Sequence, residues 1–346
     1  MTDLFADIIG HERVLELLEG ELTGPTQAYL FTGPQSVGKA TVALRFAAGL
    51  LCPTGGEHQA ECRSCRLALA GAHPDLRVVE PEGAASLGVE QVREVVARAS
   101  LAPVESDRTV FLFPEAGAMT ESAANSLLKT LEEPSASVVF LLVSESEDDL
   151  PATVASRCRT VHMGRVGDAE IVEALEGQGI DSSRAVGAAA VSGGRPGLAL
   201  ALMSQPEVAR FRDLWLSLPA KVTPHPGDGQ HLASVVLKEL GPLVDDAVPE
   251  GLTKERGQRA RRRAEMALLV GGLEILASWY ADAASLQMGG PVRNTDVELS
   301  ALTEVSPRRA VAAAELILDA VVDIQLNLRR ELVLANLFAA LGAGDA

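Results

Sequence analysis

Over the first 163 positions, apolar residues fall into short continuous runs separated by stretches with helical spacing. The runs are Tyr29–Phe31, Thr109–Phe113, Val138–Val143 and Thr160–Met163, with a shorter one at Arg77–Glu80. Helical periods lie between and before them: Leu4–Gly24, Val42–Leu51, Val89–Ala102 and Thr120–Glu133. Thr120 is placed to cap the last of these and Pro134 to close it. Strands that are apolar throughout and alternate with helices predict a parallel sheet covered by helices on both faces. From Gly164 the strand pattern stops. Asp168–Glu176, Ser182–Val191 and Leu198–Met203 predict short helices around a turn at Ser192–Gly197. Arg259–Leu286 and Pro307–Leu328 predict long helices, and Asn327–Leu341 closes the chain. Leu218–His231, with Pro219, Pro224, Pro226, Gly227 and Gly229, predicts a loop.

Composition refines this picture in three places. A chain of 346 residues allows two or three domains, and 47% hydrophobic with 3% aromatic residues means aliphatic cores. No apolar run is expected to be long enough to span a bilayer and no signal peptide is evident, so no membrane partner is expected. The net charge of −17 argues against a free-standing nucleic-acid binder, because the phosphate backbone would be repelled. The basic run Lys254–Arg263 reads first as a solvated helix start, with a DNA or partner patch as the alternative.

The chemistry concentrates at Gly33-Pro34-Gln35-Ser36-Val37-Gly38-Lys39. This glycine-bracketed loop follows a strand and opens a helix, which is the context of a P-loop. Its glycines let backbone N–H groups converge on phosphate, the helix N-terminus adds positive potential, and the lysine reaches the outer phosphates. The full signature then requires a Ser or Thr hydroxyl to ligate Mg²⁺. Ala40 stands there, and Thr41 is one residue late, turned by about 100° on a helix. The strand Thr109–Phe113 should end in an acidic pair that holds Mg²⁺ and polarises water, but the chain has Pro114-Glu115. The degenerate nucleotide set is therefore Gly33, Gly38, Lys39, Thr41 and Glu115. A P-loop fold without hydrolysis is predicted, and the retained Lys39 leaves residual ATP or ADP affinity open.

Four cysteines are present, three of them close in sequence, which fits a metal site in a reducing cytosol better than disulfides. Cys62 and Cys65 have knuckle spacing for tetrahedral zinc, Cys52 lies within reach across a Gly-rich loop, and His58 is the natural fourth ligand. The alternative is a vestigial loop of free thiols.

The segment Asn125-Ser-Leu-Leu-Lys-Thr-Leu-Glu-Glu-Pro134 resembles the corresponding stretch of the clamp-loader subunits of bacterial DNA polymerase III, members of the AAA+ class. The cysteine cluster after the P-loop helix, Gly71-Ala-His73-Pro74-Asp75 and Ser156-Arg157-Cys158 agree, in the same order. Ala40 and Pro114 resemble the delta-prime type rather than the gamma/tau motor type, and Asn294, Asp296 and the Asn327–Leu341 segment resemble its collar. Gln59 departs from the family, which usually has a cysteine there. The resemblance implies an AAA+ core over 1–164 with a cysteine insertion at about 52–65, a helical lid over 165–205 and an all-helical collar over 206–346. It implies a ring with motor (gamma/tau) and delta subunits, acting on the sliding clamp and primer-template DNA. Arg157 would then be an arginine finger serving a neighbour's ATP, with a structural arginine paired to a carboxylate of its own domain as the alternative. An active motor-type ATPase and a P-loop small-molecule kinase are the rival readings; the kinase leaves the Asn125–Pro134, Ser156–Cys158 and cysteine segments unexplained.

Overall fold

The computed structural model describes residues 3–55, 62–81, 86–133, 135–204, 206–246, 254–326 and 328–343. The chain divides into two compact units, Met1–Ala174 with Gly194–Leu198, and Leu175–Gly193 with Ala199–Ala346.

The first unit is built on five parallel strands: β1 (Ala28–Thr32), β2 (Leu76–Val78), β3 (Thr109–Phe113), β4 (Val138–Val143) and β5 (Arg159–His162), in the order β2-β3-β4-β1-β5. Alternation along each strand sorts the side chains to two faces. Tyr29, Phe31, Val139, Leu141 and Val143 pack with α1 (Glu12–Glu21) and α2 (Lys39–Leu51) on one side. Leu30, Phe111, Phe113, Phe140 and Leu142 pack on the other, against α4 (Val89–Ala99) and α5 (Glu121–Glu132). The short helix α3 (Arg63–Leu69), which the apolar pattern did not predict, lies between α2 and β2 in the chain. A one-turn helix, α6 (Ala152–Ala155), joins β4 to β5. The α/β P-loop core expected from the alternating runs is therefore present, with helices on both faces.

His73 and Asp75 of the Gly71–Asp75 motif are structural. The His73 ring meets the Ser64 hydroxyl at 3.0 Å, and its Nδ1 accepts from the Asp75 amide at 3.1 Å. The Asp75 carboxylate, 1% exposed, accepts from the amides of Val104, Glu105 and Ser106 at 2.6, 2.8 and 2.8 Å.

The second unit is helical. α7 (Asp168–Gly177) crosses from one unit to the other, followed by α8 (Ser182–Ser192), α9 (Pro196–Ser204), α10 (Pro206–Ser217), α11 (Pro226–Asp246), α12 (Lys254–Gln287), α13 (Leu299–Thr303), α14 (Pro307–Gln325) and α15 (Arg330–Gly342). The loop expected over Leu218–His231 is shorter than its prolines and glycines implied. Pro226 sits at the start of α11, where its missing N–H costs nothing. α12 also corrects the expectation about apolar runs, since Ala264–Gln287 is long and apolar enough to cross a bilayer by length and composition alone. Its Leu269, Leu273, Leu276, Trp279 and Ala283 are spent on the core of this unit, packed with Trp215, Ile317 and Leu334. A membrane is not needed to cover them. Gly272 lets Trp215 approach, since a Cβ there would lie 1.9 Å from the indole ring. In the basic run, Arg261 is exposed and pairs with Asp245 of α11.

Burial of Asp75 works to raise its carboxyl, but the three backbone donors outweigh it and hold the group below the ordinary carboxylate range. A lowered folded value means stability that is present above the unfolded value of about 4 and lost as pH falls through the folded one. Asp75→Asn should therefore destabilise the protein by about 1.5–3 kcal/mol at pH 7 in urea titrations, and the gap to wild type should close toward pH 3.

Candidate functional site: two edges of one sheet

β1 lies inside the sheet between β4 and β5, and the P-loop leaves its carboxyl end. That is the edge at which doubly wound sheets hold ligands. The turn is possible because Gly33 and Gly38 take φ of 140° and 103°. At Gly33 a Cβ would meet the Met163 carbonyl at 1.9 Å, so only glycine fits. Ser36, also left-handed at φ 58°, accepts from the Gly197 amide at 3.0 Å, while the His11 ring meets the Val37 carbonyl at 3.0 Å.

Lys39 is 8% exposed and turned back into its own loop, donating to the carbonyls of Gly33 at 2.6 Å and Pro34 at 2.7 Å. Burial lowers its ammonium below the ordinary lysine value, against the opposing pull of the Glu145 and Asp149 carboxylates. Ala40 and Thr41 are both exposed in the first turn of α2. Glu115 follows β3, two strands along from β1, and Pro114 precedes it. The structure thus brings Gly33, Gly38 and Lys39 together at one loop and places no hydroxyl at position 40.

Sequence reasoning missed the turn after β4. Asp149 accepts from the Ser144 hydroxyl at 2.6 Å and from the amides of Glu145 and Ser146 at 3.1 and 2.8 Å. That fixes Glu145, whose carbonyl accepts from the Gly33 amide at 3.0 Å and whose carboxylate accepts from Gln35. The available signal was position, because an acidic residue two places beyond a buried apolar strand sits at the ligand edge of a parallel sheet.

Arg157 occupies the other edge. β5 starts at Arg159, level with Tyr29, so Arg157 precedes the amino end of the sheet. At about 3.3 Å per strand residue, the length of β1 separates the two edges by roughly 15 Å. The Arg157 guanidinium donates to Glu132 at 2.5 Å and to the Thr153 carbonyl at 2.8 Å. It therefore pairs with a carboxylate of its own domain, joining the Asn125–Pro134 and Ser156–Cys158 segments. The side chains of Arg157 and Glu132 are 36% and 49% exposed, and a cavity of about 350 Å³ is lined by Arg157 together with Gln27, Leu131 and Arg159. Arg159 is held separately by Glu21, which also takes the Tyr29 hydroxyl at 2.6 Å. Cys158 is a packing residue: its thiol donates to the Val154 carbonyl, and burial pushes it up to about 12.

The Sγ atoms of Cys52, Cys62 and Cys65 all lie within 4.8 Å of one another, with Cys52 and Cys62 at 3.8 Å. Zn–S bonds of about 2.3 Å give tetrahedral edges of about 3.8 Å, so the three thiols fit three corners of a zinc site. His58 and Gln59 lie outside the described residues. A cavity of about 810 Å³ opens beside Cys52 and His73, away from the P-loop.

Residues 10–166 match the family model described as DNA polymerase III, delta subunit. The chain is 41% identical over 156 residues to DNA polymerase III subunit delta' of Pseudomonas aeruginosa, covering 44% of this chain and 48% of that one. It is 37% identical over 152 residues to subunit delta' of Bacillus subtilis, covering 43% and 46%. It is 33% identical over 262 residues to subunit tau of Salmonella typhimurium, covering 74% and 39%. The chain thus spans about half the length, or less, of these curated relatives.

An ion pair this exposed contributes little to folding. Arg157→Ala should lower the unfolding free energy measured in urea titrations by less than about 1 kcal/mol. Gly33→Ala, forced against Met163, should cost several times more.

Proposed function

We propose that this chain, delta-prime-like over its first half, serves in a DNA polymerase III clamp loader as a subunit that does not hydrolyse ATP and lends Arg157 to a neighbouring motor subunit. The observation that carries this is the position of Arg157. It lies at the sheet edge opposite its own P-loop, roughly 15 Å away, so it serves a second chain or no nucleotide at all. Its guanidinium is half exposed and held by one surface carboxylate and one carbonyl, bonds that a γ-phosphate can replace with stronger ones. The chain's own pocket lacks the Mg²⁺ hydroxyl at Ala40 and the metal-holding acid at Pro114, and without metal the charge developing on the transferred phosphoryl is not neutralised.

On this reading the partners are the motor (gamma/tau) and delta subunits, with the sliding clamp and primed DNA reached through the complex in the cytoplasm. Residues 165–205 would form the lid and the helices of 206–346 the collar. Cys52, Cys62 and Cys65, with His58 as the fourth ligand, would hold a structural zinc, which would tie the end of α2 to the start of α3. A motor-type reading draws on the tau alignment, which covers more of this chain than the delta' ones, but it must place Mg²⁺ with Glu115 alone.

Three outcomes are expected. The purified chain releases no phosphate from ATP; turnover abolished by Lys39→Ala would establish the motor reading instead. In a reconstituted complex, Arg157→Ala leaves assembly intact while slowing hydrolysis at the site it serves by about 10³-fold or more, and Arg159→Ala does not. Unchanged clamp loading by a well-assembled Arg157→Ala complex refutes the finger. Metal analysis should find close to one zinc per chain, reduced in His58→Ala and unchanged in Gln59→Ala; metal-free protein that folds normally would mean a vestigial loop.

A further inference from the structure

We propose that Glu145 is a specificity-determining residue of the P-loop pocket, a carboxylate that excludes nucleoside polyphosphates independently of the missing Mg²⁺ ligands. The proposal deepens the reading of a chain that does not hydrolyse ATP and rests on it, but it concerns binding rather than turnover.

The P-loop mouth is occupied by the chain's own groups. Lys39 donates to the Gly33 and Pro34 carbonyls at 2.6 and 2.7 Å, so the ammonium that would meet the outer phosphates is already satisfied inside the loop. Opposite it, the turn after β4 is pinned to the loop at both ends of one residue. The Gly33 amide reaches the Glu145 carbonyl at 3.0 Å, and the Gln35 amide reaches the Glu145 carboxylate. Glu145 cannot drift away, because its own amide is held by Asp149 at 3.1 Å. Asp149 is itself committed to the Ser144 hydroxyl and the Ser146 amide on the same turn.

The Glu145 and Asp149 carboxylates therefore lie close enough to the P-loop lysine to act on its charge. In a working P-loop, Mg²⁺ and the lysine together offset the phosphate charge. Here the metal has lost its protein ligands, and the lysine's charge is offset from within. A polyphosphate entering the loop would meet like charge at Glu145 and would have to free Lys39 from two carbonyls. The Gln35 bond also separates two causes: Glu145 acts either as a charge or as half of a plug, and these predict different variants.

The test is binding of ADP and of Mg-ATP to the full chain, followed by isothermal calorimetry and thermal shift, with phosphate release measured on the same samples. Glu145→Gln keeps the shape and the hydrogen-bonding reach and removes the charge. It should bind ADP about ten- to a hundredfold more tightly than wild type, and Glu145→Gln/Lys39→Ala should lose that gain. Gln35→Ala, which frees the carboxylate without neutralising it, should show no gain. Equal affinity of wild type and Glu145→Gln overturns the proposal, as does a gain in Gln35→Ala matching that of Glu145→Gln, which would make the site a steric plug. Phosphate release by wild type would instead sink the inactive-subunit reading, so the two failures are distinguishable.

Discussion

Everything in the first unit depends on three central strands, β1, β3 and β4, that are buried on both faces of a sheet whose strands all run the same way. A strand with no solvent face must alternate its side chains between two helical layers, and Tyr29, Leu30 and Phe31 do so, first to one cluster and then to the other. Parallel direction then gives the sheet two chemically different edges. One gathers the carboxyl ends of β1 and β4, where loops and a helix N-terminus meet; the other gathers the amino ends, where α5 stops and β5 starts. The P-loop and Arg157 thereby lie at opposite edges that a single chain cannot bring together.

The two edges differ in how their charges are compensated. At the P-loop, Lys39 is buried and answered from within, by carbonyls of its own loop and by the nearby charges of Glu145 and Asp149. Moving it means breaking bonds that water does not replace at a buried site. At the opposite edge Arg157 is compensated by Glu132 in a half-exposed pair, the kind of contact whose net value is small because solvent competes for both partners. One cation is committed and the other is available. That asymmetry is what the proposed role, assisting a neighbour without consuming nucleotide, would require.

Much of this was legible in the residues. Apolar runs marked β1, β3 and β4, and glycine spacing marked the P-loop, because both are dictated by short-range physics that leaves a short-range trace. Ala40 and Pro114 stand where a P-loop site would carry Mg²⁺ ligands, and that much is visible in the residues alone. What escaped were contacts between distant segments. Glu132 and Arg157 are 25 residues apart and Gln35 and Glu145 are 110 apart, so no local pattern links them. Helix α11 escaped for a different reason. Its Pro226, Gly227 and Gly229 read as breakers, whereas proline is well suited to a helix start. Within it, Gly229 lies so close to the Ala335 carbonyl that a Cβ would sit 2.6 Å from it. The glycine serves packing rather than a turn, a distinction only the tertiary structure makes.

The cysteine cluster shows how a motif can survive partial loss of its pattern. Cys52 ends α2, Cys62 precedes α3 and Cys65 lies one turn along it, so the three thiols converge because two helices are already packed end to side. That packing has its own support: the Ser64 hydroxyl donates to the Leu51 carbonyl at 2.8 Å and meets His73, whose Nδ1 in turn caps the Asp75 amide. The chain of contacts from Leu51 to Asp75 holds the helix ends in place with no metal in it. A zinc ion there would reinforce an arrangement the polar network already specifies.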